Sequence, residues 1–284
     1  MTLEANPEDL SSGKLKELRS IGINRLSLGT QSFIDSELIW MNRMHTSAQA
    51  VSCIKNAQNL GFDNISIDLI FGLPDQTVSD WEFNLKRSTE LDIQHISSYS
   101  LTVEPKTVLN HRIQKGEQLP PDETASAKFF EMNMEFFPKR GFEHYEISNF
   151  AKDGFISKHN SSYWQGENYL GLGPSGHSYN GDSRQWNLKS NAAYIQKITE
   201  GTGYYETEIL TIEDKINEHI MTGLRTKWGI QKSVLEVLKA DAWHSILHHA
   251  DLLDQKELII DQERILLTNK GKLKADLLAS ELFI

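Results

Sequence analysis

Two histidines lie close to aromatic residues and to a glycine-rich run near the middle of the chain. His159 begins a stretch that ends in Tyr163 and Trp164, and His177 closes the run that begins at Gly171. A neutral imidazole can ligate the iron of a porphyrin, and aromatic rings pack against flat conjugated ligands. The spacing favours a flat, conjugated or iron-containing ligand. The alternative is an aromatic core cluster in which each histidine is hydrogen-bonded to a neighbour.

A second set of candidate residues stands where predicted strands end. It combines two carboxylates, an amide and a hydroxyl, which are Glu4, Asp68, Gln31 and Thr102, with the guanidinium of Arg43, which opens the helix after Gln31. Functional side chains of parallel βα barrels collect at the C-terminal ends of the strands. On one rim, the carboxylates can bind an ammonium group or ribose hydroxyls, and the arginine can bind a carboxylate bidentately. The alternative is a set of ordinary loop caps and salt bridges.

The remaining histidines and the single cysteine do not favour a metal site. Cys53 alone excludes an internal disulfide and a multi-cysteine zinc or iron–sulfur site within this chain, and we expect it to be a buried small hydrophobe on a helix. His244, His248 and His249 have the helical spacing of metal ligands. Since no carboxylate or cysteine completes that set, an exposed helix face is favoured.

Alternating strands and helices are needed to position the strand-end residues, and the hydrophobic pattern predicts them. β-Branched runs bounded by glycine and proline predict strands, and apolar residues at three-to-four spacing predict helices. This order implies parallel βαβ units with right-handed crossovers, as in an α/β fold. The predicted strands cover residues 24–33, 64–71, 96–103 and 143–150, and the predicted helices cover residues 46–60, 78–91 and 122–140.

The order of predicted elements changes after about residue 204, where helices are followed by a two-stranded hairpin. We therefore predict two domains, a partial barrel with a following region over residues 1–204 and a small winged-helix-like α+β domain over residues 205–284. The predicted helices cover residues 210–224, 232–238 and 269–278, and the hairpin strands cover residues 257–261 and 264–268.

Charge and hydropathy limit which binding partners and which cellular locations are expected for the chain. The formal net charge is −10 and the pI is about 5.5, which disfavours binding to nucleic acid. No apolar run is long enough for an integral membrane segment, and the first residues lack the basic and apolar regions of a secretory signal. With so little cysteine, a reduced cytoplasmic location is expected.

Several motifs resemble one known family in both order and spacing. They are similar to the later strands of the radical S-adenosylmethionine (radical SAM) barrel of the oxygen-independent coproporphyrinogen III oxidase family. The stretch from His159 to Trp164 resembles the HNxxYW signature of the HemW branch of that family, the heme chaperones. The other motifs are Glu4-Ala5-Asn6-Pro7, Gly22-Ile23-Asn24-Arg25-Leu26-Ser27-Leu28-Gly29-Thr30-Gln31-Ser32-Phe33, Asn42-Arg43 and Ile67-Asp68-Leu69-Ile70-Phe71-Gly72-Leu73-Pro74-Asp75-Gln76-Thr77.

The resemblance implies a cofactor and a cargo for these residues. The residues that match Glu4, Gln31, Arg43 and Asp68 contact S-adenosylmethionine in that family, and Thr102 stands where another contact is made by a different residue type. For His159 the resemblance implies contact with heme. We expect a full-length parent that binds a [4Fe–4S] cluster, S-adenosylmethionine and heme, and that passes heme to an acceptor protein. The rival is an enzyme that oxidatively decarboxylates coproporphyrinogen III.

One departure from the family pattern is large. The three cysteines of the family's CxxxCxxC loop, which hold the cluster, have no counterpart in this sequence. We therefore expect an N-terminally truncated member that performs no radical chemistry by itself. The first remaining strand would then present an unpaired parallel edge, and such edges favour self-association.

Overall fold

Six strands form one sheet in the first half of the chain. The computed structural model describes residues 1–284, which divide into two compact units, Met1–Ser157 and Lys158–Ile284. The predicted boundary between residues 204 and 205 lies inside the second unit, and the domain assignment stays a prediction. The strands of the first unit are β1 (Thr2–Ala5), β2 (Arg25–Gln31), β3 (Ile65–Phe71), β4 (His95–Ser100), β5 (Glu143–Glu146) and β6 (Asn149–Ala151).

The strand order is β1-β2-β3-β4-β6-β5, and the first three neighbouring pairs are parallel. The predicted strand over residues 143–150 is instead the antiparallel hairpin β5–β6, and β6 also pairs antiparallel with β4. Only Ile147 and Ser148 connect the two hairpin strands. A parallel connection needs a crossover of a dozen residues or more, so this short link permits only the antiparallel arrangement.

Helices follow the parallel strands, as the alternating pattern predicts. Capping boxes begin two of them, since the side chains of Thr46 and Thr77 accept from Gln49 N and Asp80 N and the reciprocal bonds are present. The helices of the first unit are α1 (Ser12–Ser20), α2 (Asp35–Trp40), α3 (Ser47–Asn59), α4 (Val78–Thr89), α5 (Val108–Gln114) and α6 (Glu123–Phe136), and Pro7–Asp9 and Pro138–Arg140 are 3-10 helices.

The parallel strands separate apolar from polar side chains. Six side chains on one face are completely buried and belong to the hydrophobic core, namely Leu26, Leu28, Ile65, Ile67, Leu69 and Ile96. On the other face, Ser27 is in register with both Glu4 and Ser66, and Asp68 is in register with Ser97. Because strand side chains alternate and register partners share a face, these polar residues lie on one surface of the sheet.

The second unit contains two small sheets. The sequence patterns did not predict the sheet β7-β8-β9, whose strands are short and polar. The hairpin with its flanking helices confirms the winged-helix-like part of the predicted α/β fold. The elements are α7 (Lys158–Trp164), β7 (His177–Tyr179), β8 (Ser183–Asn187), α8 (Asn191–Glu200), β9 (Tyr205–Ile209), α9 (Ile212–Leu224), β10 (Ile230–Gln231), α10 (Lys232–Leu238), α11 (Ala242–Asp251), β11 (Leu258–Ile260), β12 (Arg264–Leu267), α12 (Asn269–Lys272) and α13 (Ala275–Glu281).

Some predicted boundaries were wrong. The strand predicted over residues 96–103 ends at Ser100, and the helix predicted over residues 122–140 ends at Phe136 before the proline-marked 3-10 turn. The final helix divides into α12 and α13. No helix of the chain combines the length and the hydropathy that crossing a membrane requires.

Trp81 anchors the core of the first unit, and its replacement gives a test of the packing. The side chain is fully buried, Nε1 donates to Asn133 Oδ1 at 3.0 Å, and the ring centroid lies 5.4 Å from that of Phe71. We expect Trp81→Ala to lower the free energy of unfolding by about 3–5 kcal/mol, measured by urea denaturation. Phe83→Ala on the same helix is the control, because Phe83 is 49% exposed. Equal losses in the two variants would contradict this packing.

Candidate functional site

Two cavities of opposite charge lie in the first unit, at the side of the sheet where the parallel strands end. The acidic cavity has a volume of about 330 Å³ and includes Glu4, Asn6, Asp9, Ser27, Gln31 and Asp68 in its lining. The arginine cavity has a volume of about 660 Å³ and includes Gln31, Trp40, Arg43, Leu101, Val108 and Arg112. Gln31 borders both. The structure therefore brings four of the five predicted strand-end residues to two adjacent cavities.

Asp68 is a half-buried acid in the lining of the acidic cavity. Burial raises the pKa of its carboxyl to about 6, a hydrogen bond from Ser97 opposes that rise, and the negative charge of Glu4 adds to it. The guanidinium groups of Arg25 and Arg43 lower the pKa of Asp68 in turn. A carboxylate held in this way is a strong acceptor for an ammonium group or for ribose hydroxyls, because its own desolvation leaves it short of hydrogen-bond donors.

Arg25 is a member of this face that the sequence analysis did not single out. Burial lowers the pKa of its guanidinium, while the charges of Asp68 and Glu4 and the nearby Tyr145 act in the opposite direction. Nε of Arg25 is enclosed and has no hydrogen-bond partner. As the first residue of β2, Arg25 is two positions before Ser27, so it shares the polar face. That alternation was available in the sequence and could have identified it.

A buried histidine extends the polar face away from the cavities. His95 Nδ1 hydrogen-bonds with the Ser66 hydroxyl at 2.7 Å, and Nε2 hydrogen-bonds with the Tyr145 hydroxyl at 2.8 Å. Burial, with a smaller contribution from the charge of Arg25, lowers the pKa of His95 to about 3. The imidazole is therefore neutral under ordinary conditions and holds β3, β4 and β5 together through hydrogen bonds.

Arg43 is fixed by backbone and side-chain acceptors at the border of the two cavities. Its Nη2 donates to Asn6 Oδ1 at 3.0 Å and to the Gly29 carbonyl at 3.1 Å. Nε of Arg43 is enclosed and has no partner. A Cβ placed on Gly29 would lie 2.8 Å from Arg43 Nη2 and 3.0 Å from Gln31 Nε2, so the absence of a side chain there is what lets both groups approach.

The backbone at Gln31 is unusual and is held by a buried network. Gln31 has a φ of 63°, the left-handed region that non-glycine residues rarely adopt, and it follows an irregularity in the β2–β3 register. The next residue, Ser32, donates to the buried Glu37 carboxylate, which also accepts from Asn84 Nδ2 at 3.0 Å and Gln76 Nε2 at 2.8 Å. Such a fully bonded network can maintain a strained backbone at a site.

Thr102 stands apart from the other predicted strand-end residues. It lies two residues beyond the end of β4, is exposed, and lines neither cavity, whereas the preceding Leu101 lines the arginine cavity. The register that brings Asp68 to the acidic cavity does not extend to Thr102. Its contact with a cofactor stays a prediction without a geometric basis.

His159 lies on a helix. It is the second residue of α7 and is exposed. Its Nε2 lies 3.2 Å from the Tyr163 hydroxyl, one helical turn away, and the Tyr163 ring is 4.7 Å from that of Tyr169 in a T-shaped arrangement. An exposed imidazole beside tyrosine rings is accessible to a flat ligand and is not locked into a core.

The other candidate histidines are placed less favourably for binding a heme or a metal ion. His177 begins β7, is exposed, and its ring centroid lies 6.4 Å from that of Trp186. His244, His248 and His249 lie on α11, and no group of three metal-ligating side chains is assembled anywhere in the chain. Cys53 is buried on α3, where burial raises the pKa of its thiol to about 11.

Comparisons with known proteins relate the chain to one family. Residues 1–86 match the Radical SAM superfamily. The heme chaperone HemW of Bacillus subtilis is 40% identical over 275 residues, which cover 95% of this chain and 72% of that protein. HemW of Lactococcus lactis is 35% identical over 272 residues, with 95% and 72% covered.

A solved structure shows the same fold. The radical SAM enzyme coproporphyrinogen III oxidase (HemN) of Escherichia coli superposes with a TM-score of 0.82 at 25% identity, covering 99% of this chain and 69% of that one. Together, the parallel sheet, its polar strand ends and the identity to the two bacterial relatives establish the family. The chain belongs to the HemW family within the radical SAM superfamily.

Proposed function

We propose that the chain binds heme and that it takes part in delivering heme to an acceptor protein. The 40% identity to a protein named heme chaperone HemW carries this proposal. The exposed imidazole of His159, with Tyr163 one turn away on the same helix, supports it. A neutral imidazole is a competent axial ligand of heme iron, and the adjacent ring can pack against the porphyrin.

We propose further that the acidic cavity and its border with the arginine cavity bind S-adenosylmethionine. The residues present fit this cofactor. Asp68 and Glu4 offer acceptors for its ammonium group and ribose hydroxyls, Arg43 has an unused Nε donor for its carboxylate, and Gly29 leaves space for the approach. In the superfamily, bound S-adenosylmethionine is the source of a deoxyadenosyl radical.

An iron–sulfur cluster does not fit the residues of this chain. Cluster ligands are normally thiolates, and the 284 residues contain one cysteine, Cys53, which is buried on α3. We therefore assign no radical step to these residues. Their proposed tasks are limited to binding and orienting the nucleoside and the porphyrin.

Oxidative decarboxylation of coproporphyrinogen III is the rival function. The fold likeness to coproporphyrinogen III oxidase favours it at 25% identity, against 40% for the heme chaperone. The HNxxYW stretch of α7 also favours the chaperone. A reconstituted, cluster-bearing relative that decarboxylates the propionates of coproporphyrinogen III would support the rival.

We propose a cytoplasmic protein whose partners are heme and a heme-acceptor protein, with no nucleic-acid partner. The net charge of −10 supports the last point, because a polyanion would be repelled.

Heme uptake by a His159 variant tests the main proposal. We expect the wild-type chain to bind hemin saturably, and His159→Ala to raise the dissociation constant about tenfold or more because the axial bond is lost. Absorbance titration at the Soret band measures both. His244→Ala is the matched control, since that imidazole is also exposed on a helix. Wild-type binding that His159→Ala leaves unchanged would contradict the assignment.

The pH dependence of stability tests the burial of Asp68. Because burial raises the folded-state pKa to about 6, above the usual 3.8, ionisation of Asp68 destabilises the fold as the pH rises through that range. Asp68→Asn should therefore unfold at higher urea concentration at pH 8, with a gain of about 1–3 kcal/mol that disappears below about pH 4. Asp63→Asn controls for the loss of one negative charge. A destabilised Asp68→Asn at pH 8 would refute the expectation.

Self-association is expected through the free edge of β1. This strand pairs with β2 alone, so its outer backbone groups have no partner in the sheet. Sedimentation velocity should show association that grows with protein concentration and that Thr2→Lys reduces, because a charge on an edge strand opposes pairing. A wild-type chain that stays monomeric at high concentration would exclude this role of the edge.

A further inference from the structure

The arginine cavity has a chemical character that the S-adenosylmethionine proposal does not explain. Apart from Gln31, Asn42 and Gln118, its neutral lining is apolar or aromatic. No acidic side chain lines it, although the whole chain carries a net charge of −10. Its only charged lining residues are Arg43 and Arg112. A cavity whose charged groups are all cationic and whose other walls are mostly apolar is complementary to a flat apolar molecule that carries acid groups.

Arg112 is the arginine of this cavity that has no partner in the protein. Its guanidinium makes no hydrogen bond and no ion pair, whereas Arg87, Arg184, Arg225 and Arg264 are each paired with a carboxylate. Arg43, in contrast, donates to Asn6 and Gly29. The unpaired guanidinium is therefore available for a carboxylate from outside the chain.

The short helix α5 positions Arg112 beside the apolar part of the lining. Thr107 caps the helix by accepting from Asn110 N, and Val108 lies one turn before Arg112, so the two side chains are neighbours. Val108 and Ile39, which line the cavity from α5 and α2, are 72% and 76% exposed. Their exposed apolar surface forms a rim that a hydrophobic ligand would cover.

We propose that the arginine cavity binds the propionate-bearing edge of a tetrapyrrole, with Arg112 as the carboxylate contact and specificity determinant. This inference rests on the proposed heme function. Heme combines a flat apolar macrocycle with two carboxylates on one edge, and guanidinium groups bind carboxylates through paired hydrogen bonds. Trp40 and Val108 offer apolar surface to the macrocycle, while Arg43 stays at the border with the acidic cavity.

The test compares hemin with hemin dimethyl ester, whose propionates are uncharged. Absorbance titrations of the full chain measure dissociation constants for the wild type, Arg112→Met and Arg112→Lys. Lys115→Met is the matched control, because Lys115 is an exposed cation at the end of the same helix and lines neither cavity. Arg112 is itself exposed and makes no bond to the protein, so its replacement is not expected to disturb folding.

We expect Arg112→Met to raise the dissociation constant for hemin about tenfold, as the loss of a charge-assisted hydrogen bond implies. Arg112→Lys should recover part of the affinity, and Lys115→Met should change it less than twofold or so, as expected for an exposed charge outside the site. The dimethyl ester should bind the wild type and Arg112→Met equally. The inference is overturned if hemin affinity is unchanged in Arg112→Met, or if both ligands lose affinity by the same factor.

Two further outcomes separate this inference from the functions on which it rests. If Arg112→Met weakens binding of S-adenosylhomocysteine but leaves that of hemin unchanged, Arg112 serves the nucleoside and the inference fails alone. If the wild type shows no saturable hemin binding, the heme proposal fails and the inference fails with it.

Discussion

The parallel register of four strands is the constraint on which the rest of the first unit depends. It places Glu4, Ser27 and Ser66 in line across the sheet and brings Asp68 beside Ser97. The alternate positions are apolar, and those of β2, β3 and β4 belong to the buried hydrophobic core. A shift of one residue in any pair would move charged groups into the core, so the hydrophobic face determines where the polar face must be.

Titratable side chains on the polar face are partly withdrawn from water, which costs folding free energy. Asp68, Arg25 and His95 all have pKa values displaced in the direction that burial imposes on them. Groups kept in this state lower the stability of the fold and are characteristic of binding sites. The Glu37 network holds the backbone that follows Gln31, and the contacts with Asn6 and Gly29 hold the Arg43 guanidinium, so the border of the two cavities is held by the protein itself.

Much of the site followed from the sequence because strand ends in a βα unit have a predictable side and direction. Glu4, Gln31, Arg43 and Asp68 were selected in this way and line the two cavities, whereas Thr102 lines neither, since β4 ends at Ser100, earlier than its hydrophobic pattern indicates. The contacts of all five residues with a cofactor stay predictions. Contacts between distant segments were not predictable. The arginine cavity depends on where α5 lies relative to α2, and the Glu37 network joins four separate segments. A local sequence pattern therefore predicts neither of them. The sequence pattern did not indicate the hairpin β5–β6 because its two turn residues, Ile147 and Ser148, are neither glycine nor proline.

Titration of the Asp68 carboxyl by carbon-13 nuclear magnetic resonance tests most directly the claim that this face is a desolvated ligand site. We expect a midpoint of about 6 in the free protein. We also expect S-adenosylhomocysteine to lower the midpoint, because a bound ammonium group favours the ionised acid. A midpoint close to the ordinary value of 3.8, unaffected by the ligand, would contradict it.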